Sequence, residues 1–106
     1  MSLDRIFEAL ASAPRRQILA YLSAAELSTS QLSERFAMSA PAVSRHLSVL
    51  ENAGLVSSER RGQFVMYRLI PDNLVNNLTG FAFEICPVGR PLQRESRALA
   101  KSRRPA

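Results

Sequence analysis

Met38-Ser-Ala-Pro-Ala-Val-Ser-Arg-His-Leu-Ser-Val-Leu-Glu-Asn-Ala-Gly-Leu-Val56 contains the start, both faces and the stop of one helix. Ser39 can cap the first free backbone donors, and Pro41 suits a first turn that needs no N–H there. Gly54 permits the left-handed residue that commonly ends a helix, so the helix is expected over about residues 40–53. Val43, Leu47 and Leu50 recur at spacings of four and three and form an apolar stripe. Ala40, Ser44, Arg45, His46 and Ser48 fall on other faces. One face packs, and another is left to make contacts elsewhere.

Upstream, Ser28-Thr-Ser-Gln31 has the capping-box pattern, in which Ser caps the third amide and Gln reaches back to the cap residue. It opens a helix with Leu32 and Phe36 inward, ending near Ala37. Only Met38 and Ser39 separate this helix from the next, so the two are expected to form a helix-turn-helix, although the turn lacks the glycine often found there. Two further helices precede it. Leu3, Ile6, Phe7 and Leu10 have helical spacing over about residues 2–11, and Ile18, Leu19 and Leu22 continue the pattern from Pro14 to about Ser23.

After Gly54 the period changes to two. Leu55–Arg60 reads as a strand, Arg61-Gly62-Gln63 as a turn and Phe64–Leu69 as the return strand, a hairpin or wing. Val65, Tyr67 and Leu69 share one face and are expected to cover the helices, with Arg60, Arg61 and Gln63 near the tip. Pro71-Asp72 can start a last helix in which Leu74, Leu78, Phe81 and Ile85 repeat at four, three and four. A chain of 106 residues has room for one modest core. That core is claimed by the other elements, so Leu74, Leu78, Phe81 and Ile85, with Leu3 and Phe7, are assigned to a homodimer interface. The alternative is packing of the last helix on its own domain. The expected architecture is mainly α with a small β-hairpin, a homodimeric winged helix-turn-helix in the order α-α-α-α-β-β-α. Residues 1–89 form the domain; Pro87, Gly89 and Pro91 end the last helix, and residues 90–106 form a basic, disordered tail.

The net charge of +5 is unevenly placed. Arg90, Arg94, Arg97, Lys101, Arg103 and Arg104 against Glu95 account for all of it, and residues 1–89 balance at zero. Affinity for DNA in the folded part therefore needs local clusters such as Arg45, Arg60 and Arg61, the tail adding a salt-sensitive attraction or remaining a solvated extension. Asp4, Arg5 and Glu8 occupy the place of a signal peptide's apolar region, and no apolar run is long enough for a bilayer, so a cytoplasmic protein without membrane contact is expected. Cys86 is the only cysteine, which excludes an intramolecular disulfide and a multi-thiolate metal site within one chain.

The local sequences resemble those of the ArsR/SmtB-type family of small winged-helix bacterial repressors. Ala9-Leu-Ala-Ser-Ala-Pro-Arg-Arg-Gln-Ile-Leu-Ala-Tyr-Leu22 is similar to the family's Leu-Ala-x-Pro-x-Arg-x-x-Ile-Leu opening. Val43–Val56 is similar to its recognition-helix signature, and Arg60–Leu69 to its wing. The resemblance runs from about residue 5 to 70, weakens through the last helix and is absent from the tail. It implies a homodimer that binds double-stranded DNA at an operator and is commonly released by an effector such as a metal ion. Metal-sensing members carry Glu-Leu-Cys-x-Cys-x-Leu where this chain has Glu26-Leu-Ser-Thr-Ser-Gln-Leu32. Serine hydroxyls lack the softness and charge to bind arsenite, cadmium or lead. The family's other site needs Asp and His ligands on the last helix, and no histidine follows Asp72. No metal and no cofactor is therefore expected, which leaves a small molecule, a redox signal, a partner or the protein's own abundance as candidate controls.

The DNA-contacting set expected from these readings is Ser39, Ala40, Pro41, Ser44, Arg45 and His46 on the recognition helix, with Arg60, Arg61 and Gln63 on the wing. His46 has a second reading as a satisfied structural histidine. Cys86 has two readings, a redox-sensitive thiol or a small apolar residue in an interface. One histidine, one cysteine and the lack of a Gly-rich phosphate loop argue against an enzyme. A second function class is a winged helix that binds another protein through its last helix.

Overall fold

The computed structural model describes residues 2–86 and 91–102. Four helices come first: α1 (Leu3–Leu10), α2 (Ala13–Leu22), α3 (Thr29–Phe36) and α4 (Ala40–Asn52). Each is preceded by a serine in extended conformation whose hydroxyl accepts from the backbone three residues on: Ser2 from Arg5, Ser12 from Arg15, Ser28 from Gln31 and Ser39 from Ala42. The caps satisfy donors that have no partner inside a first turn. At Ser28 the expected capping box is complete, with the Gln31 side chain accepting from the Ser28 amide at 2.8 Å.

The core is built from single stripes of these helices. Ile6, Ile18, Leu32, Val43, Leu47 and Leu50 are fully buried, joined by Leu55 and Val56 just beyond α4. Gly54 takes the expected left-handed conformation, φ +78°. The α3–α4 turn solves its missing glycine differently: Ala37 itself is left-handed, φ +53°, and the Ser33 hydroxyl donates to the Met38 carbonyl at 2.5 Å. An L-residue there carries a steric cost of about 1–2 kcal/mol, which the short connection requires.

The wing consists of β2 (Val56–Arg61) and β3 (Phe64–Leu69), paired antiparallel from Val56↔Leu69 to Arg61↔Phe64. The loop has two residues. Gly62 stands first, at φ +61°, and Gln63 keeps a negative φ, the pattern of a tight hairpin turn that calls for glycine in its first position. The sheet has a strand that the hairpin reading did not contain: β1 (Leu27–Ser28) pairs with the other edge of β3, so the order is β1-β3-β2. Two residues are too few to show a period, and their pairing is non-local. Their effect is to cover part of what would otherwise be an open edge of β3.

Helix α5 (Pro71–Ile85) begins as expected, anchored by the Ile70 amide on the Leu55 carbonyl at 2.8 Å and by the Asn73 amide group on the Gly54 carbonyl at 2.8 Å. No residue of α5 is buried, and Val75, Phe83 and Ile85 are among the most exposed large apolar side chains. The chain divides into two compact units, one ending at Leu74 and one beginning at Val75. The expected order changes at the end as well, because the stretch read as a disordered tail contains a helix, α6 (Pro91–Ser102). Pro91 opens this helix; the run Arg94–Lys101 is rich in strong helix formers, Ala98, Leu99 and Ala100 among them, so local propensity supplies the reason. Pro87, Gly89, Arg90, Arg103 and Arg104 lie outside the described residues.

Because Ala37 holds a backbone conformation that glycine adopts freely, Ala37→Gly is expected to stabilise the protein by about 0.5–1 kcal/mol in denaturant unfolding. A destabilised variant would show that the turn is not strained at this residue.

Candidate nucleic-acid interface

Burial of Val43, Leu47 and Leu50 fixes the rotation of α4 about its axis. Ser39, Ala40, Pro41, Ser44 and Arg45 consequently lie exposed around the N-terminal half of the helix, with Ser48 continuing the same open side. The first turn presents backbone N–H groups and the positive end of the helix dipole on that side, and Arg45 adds a guanidinium with several donors. These five expected residues are brought together.

His46 is placed differently. It is half-buried and turned toward α2, where its Nδ1 lies 3.5 Å from Arg15 Nη1. The rest of the Arg15 guanidinium is used at the end of α1: Nε donates to the Ala9 carbonyl at 2.7 Å and Nη2 to the Glu8 carbonyl at 3.0 Å. Arg15 thus closes two carbonyls of the last turn of α1 and touches the recognition helix with its remaining nitrogen. Burial lowers the His46 pKa below its ordinary 6.5, and the positive charges of Arg15 and Arg45 lower it further. Neutral imidazole, whose Nδ1 lone pair can accept from Arg15, is the form this environment favours. The sequence signal for this contact was the Pro14-Arg15 opening of α2, which says nothing about α4 until the helices pack.

On the wing, Arg60 and Gln63 are exposed as expected. Arg61 is exposed too, but its guanidinium is held by two carboxylates, Glu26 at 2.6 Å and Glu59 at 2.9 Å. The hydrogen bonds it donates to Glu59 and then Glu26, followed by the charges of these carboxylates, raise its pKa. Residues two apart on a strand share a face, so Glu59 beside Arg61 was legible from the alternation. Glu26 arrives only because β1 joins the sheet. A further wing cation went unassigned in the sequence reading: exposed Arg68, directly across from Ser57, donates to its hydroxyl through Nε at 2.9 Å.

Leu3, Leu74, Leu78 and Phe81 are half-buried, whereas Phe7 and Ile85 are exposed, Ile85 to 65%. Cys86 is a half-buried free thiol after the end of α5. Among the described residues no group of three His, Cys, Asp or Glu side chains is arranged to hold a metal ion, and no helix is long and apolar enough to cross a membrane.

Residues 13–58 match the model of the bacterial regulatory protein family arsR. The transcriptional repressor SdpR of Bacillus subtilis is 34% identical over 67 residues, which cover 63% of this chain and 74% of SdpR. Among solved structures, an ArsR-like transcriptional regulator from Rhodococcus superposes with a TM-score of 0.76 at 28% identity, covering 98% of this chain and 94% of that one. The homodimeric winged helix-turn-helix DNA-binding domain Mb0332 of Mycobacterium bovis gives a TM-score of 0.65 at 27% identity, covering 82% and 83%. The relatives are regulators of transcription rather than enzymes.

The lowered His46 pKa has a defined consequence for stability. Above the ordinary value, 6.5, imidazole is neutral in both the folded and the unfolded chain and contributes no pH dependence. Below it the unfolded chain takes up a proton that the folded chain resists, so stability falls as pH drops from 6.5 through the lowered folded value. Thermal melts between about pH 8 and pH 5 should therefore show a larger Tm loss in the wild type than in His46→Gln. Parallel curves for the two proteins would show that neither burial nor the two arginines lowers the pKa of this histidine.

Proposed function

The chain belongs to the arsR family of bacterial regulatory proteins, and from that premise we propose that it is a homodimeric winged helix-turn-helix repressor that binds an inverted-repeat operator in the cytoplasm. The observation that carries this reading is the exposed polar end of α4, held outward by a fully buried stripe. In the proposed complex Ser39, Ala40, Pro41 and Ser44 bring the first turn of α4 to base edges in the major groove, and Arg45 donates to a guanine or a neighbouring phosphate. Arg60 and Gln63 meet the backbone or minor groove from the wing tip. Arg61 contributes less, since Glu26 and Glu59 compensate its charge before DNA arrives. His46 acts through Arg15 to hold α4 against the end of α1.

Dimerisation is assigned to α1 and α5, on the strength of exposed Phe7 and the unburied α5 and by analogy with the homodimeric relative. A two-fold dimer places two recognition helices on half-sites about 10 base pairs, or a multiple, apart. Soft-metal sensing at α3 is not part of the proposal, because Ser28 Oγ is occupied as a helix cap and neither Ser28 nor Ser30 offers a thiolate. The balanced charge of residues 1–89 and the exposed apolar residues of α5 favour one rival, a monomer that presents α5 to a different protein.

Fluorescence anisotropy on a labelled duplex from upstream of the protein's own gene, compared with a scrambled duplex over a salt series, tests both. Selective binding at two chains per site is expected. Arg45→Ala should cost about 1–3 kcal/mol on the specific duplex and little on the scrambled one. Arg60→Ala should weaken both alike and reduce the salt slope by about 1, with a smaller change for Arg61→Ala. Equal losses on both duplexes for Arg45→Ala would remove it from base recognition, and a monomeric chain in sedimentation would favour the protein-binding rival.

A further inference from the structure

Between α3 and β3 lies an open cleft of about 250 Å3, lined by Ser28, Ser30, Gln31, Glu34, Phe64 and Met66. Its lining surface is mostly apolar, and two of its polar groups are already engaged with each other in the capping box. Phe64 is 48% exposed, an unusual cost for a phenyl ring on a strand. Alternation explains its direction: Phe64 and Met66 lie on the face of β3 opposite to Val65, Tyr67 and Leu69.

The charge around this face is negative. Glu34 is the one charged residue in the lining. Arg61, directly across the hairpin from Phe64, is bound by both Glu26 and Glu59. Arg68, two residues beyond Met66, shares this face and is bonded to Ser57, so three carboxylates against two guanidiniums leave a formal charge of −1 around an exposed aromatic ring and a thioether. An aromatic face attracts an alkylated ammonium, a methionine side chain adapts to irregular apolar groups, and a carboxylate fixes the position of the charge. An anion would meet Glu34, and a fully neutral ligand would leave that carboxylate unused.

We propose that this cleft is a binding site for a compact hydrophobic organic cation, an alkyl- or aryl-substituted ammonium. Its apolar part rests on Phe64 and Met66, and its charge faces Glu34. The cleft is smaller than the roughly 300–1,000 Å3 of sites for larger ligands, which restricts the occupant in size. Because α3 supplies one wall and the wing the other, a bound cation touches both the helix-turn-helix and the strand that carries the hairpin. The site is independent of the DNA-binding reading, and its test uses no DNA.

The test is an amide 1H–15N NMR titration of the full chain with benzyltrimethylammonium chloride, with sodium phenylacetate at equal ionic strength as the comparison. Saturable shifts confined to the amides around residues 28–34 and 64–66 are expected from the cation, with none there from phenylacetate. Glu34→Gln and Phe64→Leu should each weaken the cation about fivefold or more. Both residues are exposed, so the same spectra verify that the variants fold. Dispersed or non-saturating shifts, equal binding of phenylacetate, or unchanged affinity in Glu34→Gln would each overturn the proposal.

Discussion

The orientation of α4 rests on a single constraint, the complete exclusion of Val43, Leu47 and Leu50 from solvent. Rotating the helix to free its polar side would expose these three side chains at a cost of about 1.5–3 kcal/mol each. The stripe therefore determines which residues can face a ligand. It presents Ala40, Pro41, Ser44 and Arg45 on the open side, beside Ser39, whose hydroxyl accepts from the Ala42 amide. The helix start is fixed separately, by the Ser39 cap and the left-handed Ala37 before it.

Arg15 adds a second, polar level of control. Its three nitrogens join the last carbonyls of α1 to His46 on α4, so two helices far apart in sequence share one guanidinium. Arg is suited to this because its donors diverge in a plane and its charge persists at any physiological pH. The neighbouring imidazole is the variable partner. Its neutral form accepts from Arg15, and its charged form meets two arginines.

The wing shows how a small sheet can redistribute charge. Of the basic residues near its tip, Arg60 remains directed to solvent, while Arg61 is tied to Glu26 and Glu59 and so braces β2 against the entry to β1. The ties turn a cluster that looks basic in sequence into a face with a surplus of carboxylates, on which Phe64 and Met66 are displayed. One hairpin thus has a basic tip and an acidic, partly apolar flank.

The sequence by itself determined the four helices, the caps at Ser28 and Ser39, the hairpin with Gly62 in its turn and the buried stripe of α4. Each depends on neighbours within a few residues: a serine three positions before the amide it caps, apolar groups at helical spacing, and a glycine where φ must be positive. The exposed set on α4 was legible for the same reason. Helix α6 was obscured by its charge, although its alanines and leucine carried the propensity. Tertiary structure alone decided β1, the meeting of Arg15 with His46 and the capture of Arg61 by Glu26. These contacts join segments 31 or more positions apart, and no periodicity encodes such pairs because their geometry exists only once the helices and the sheet have packed.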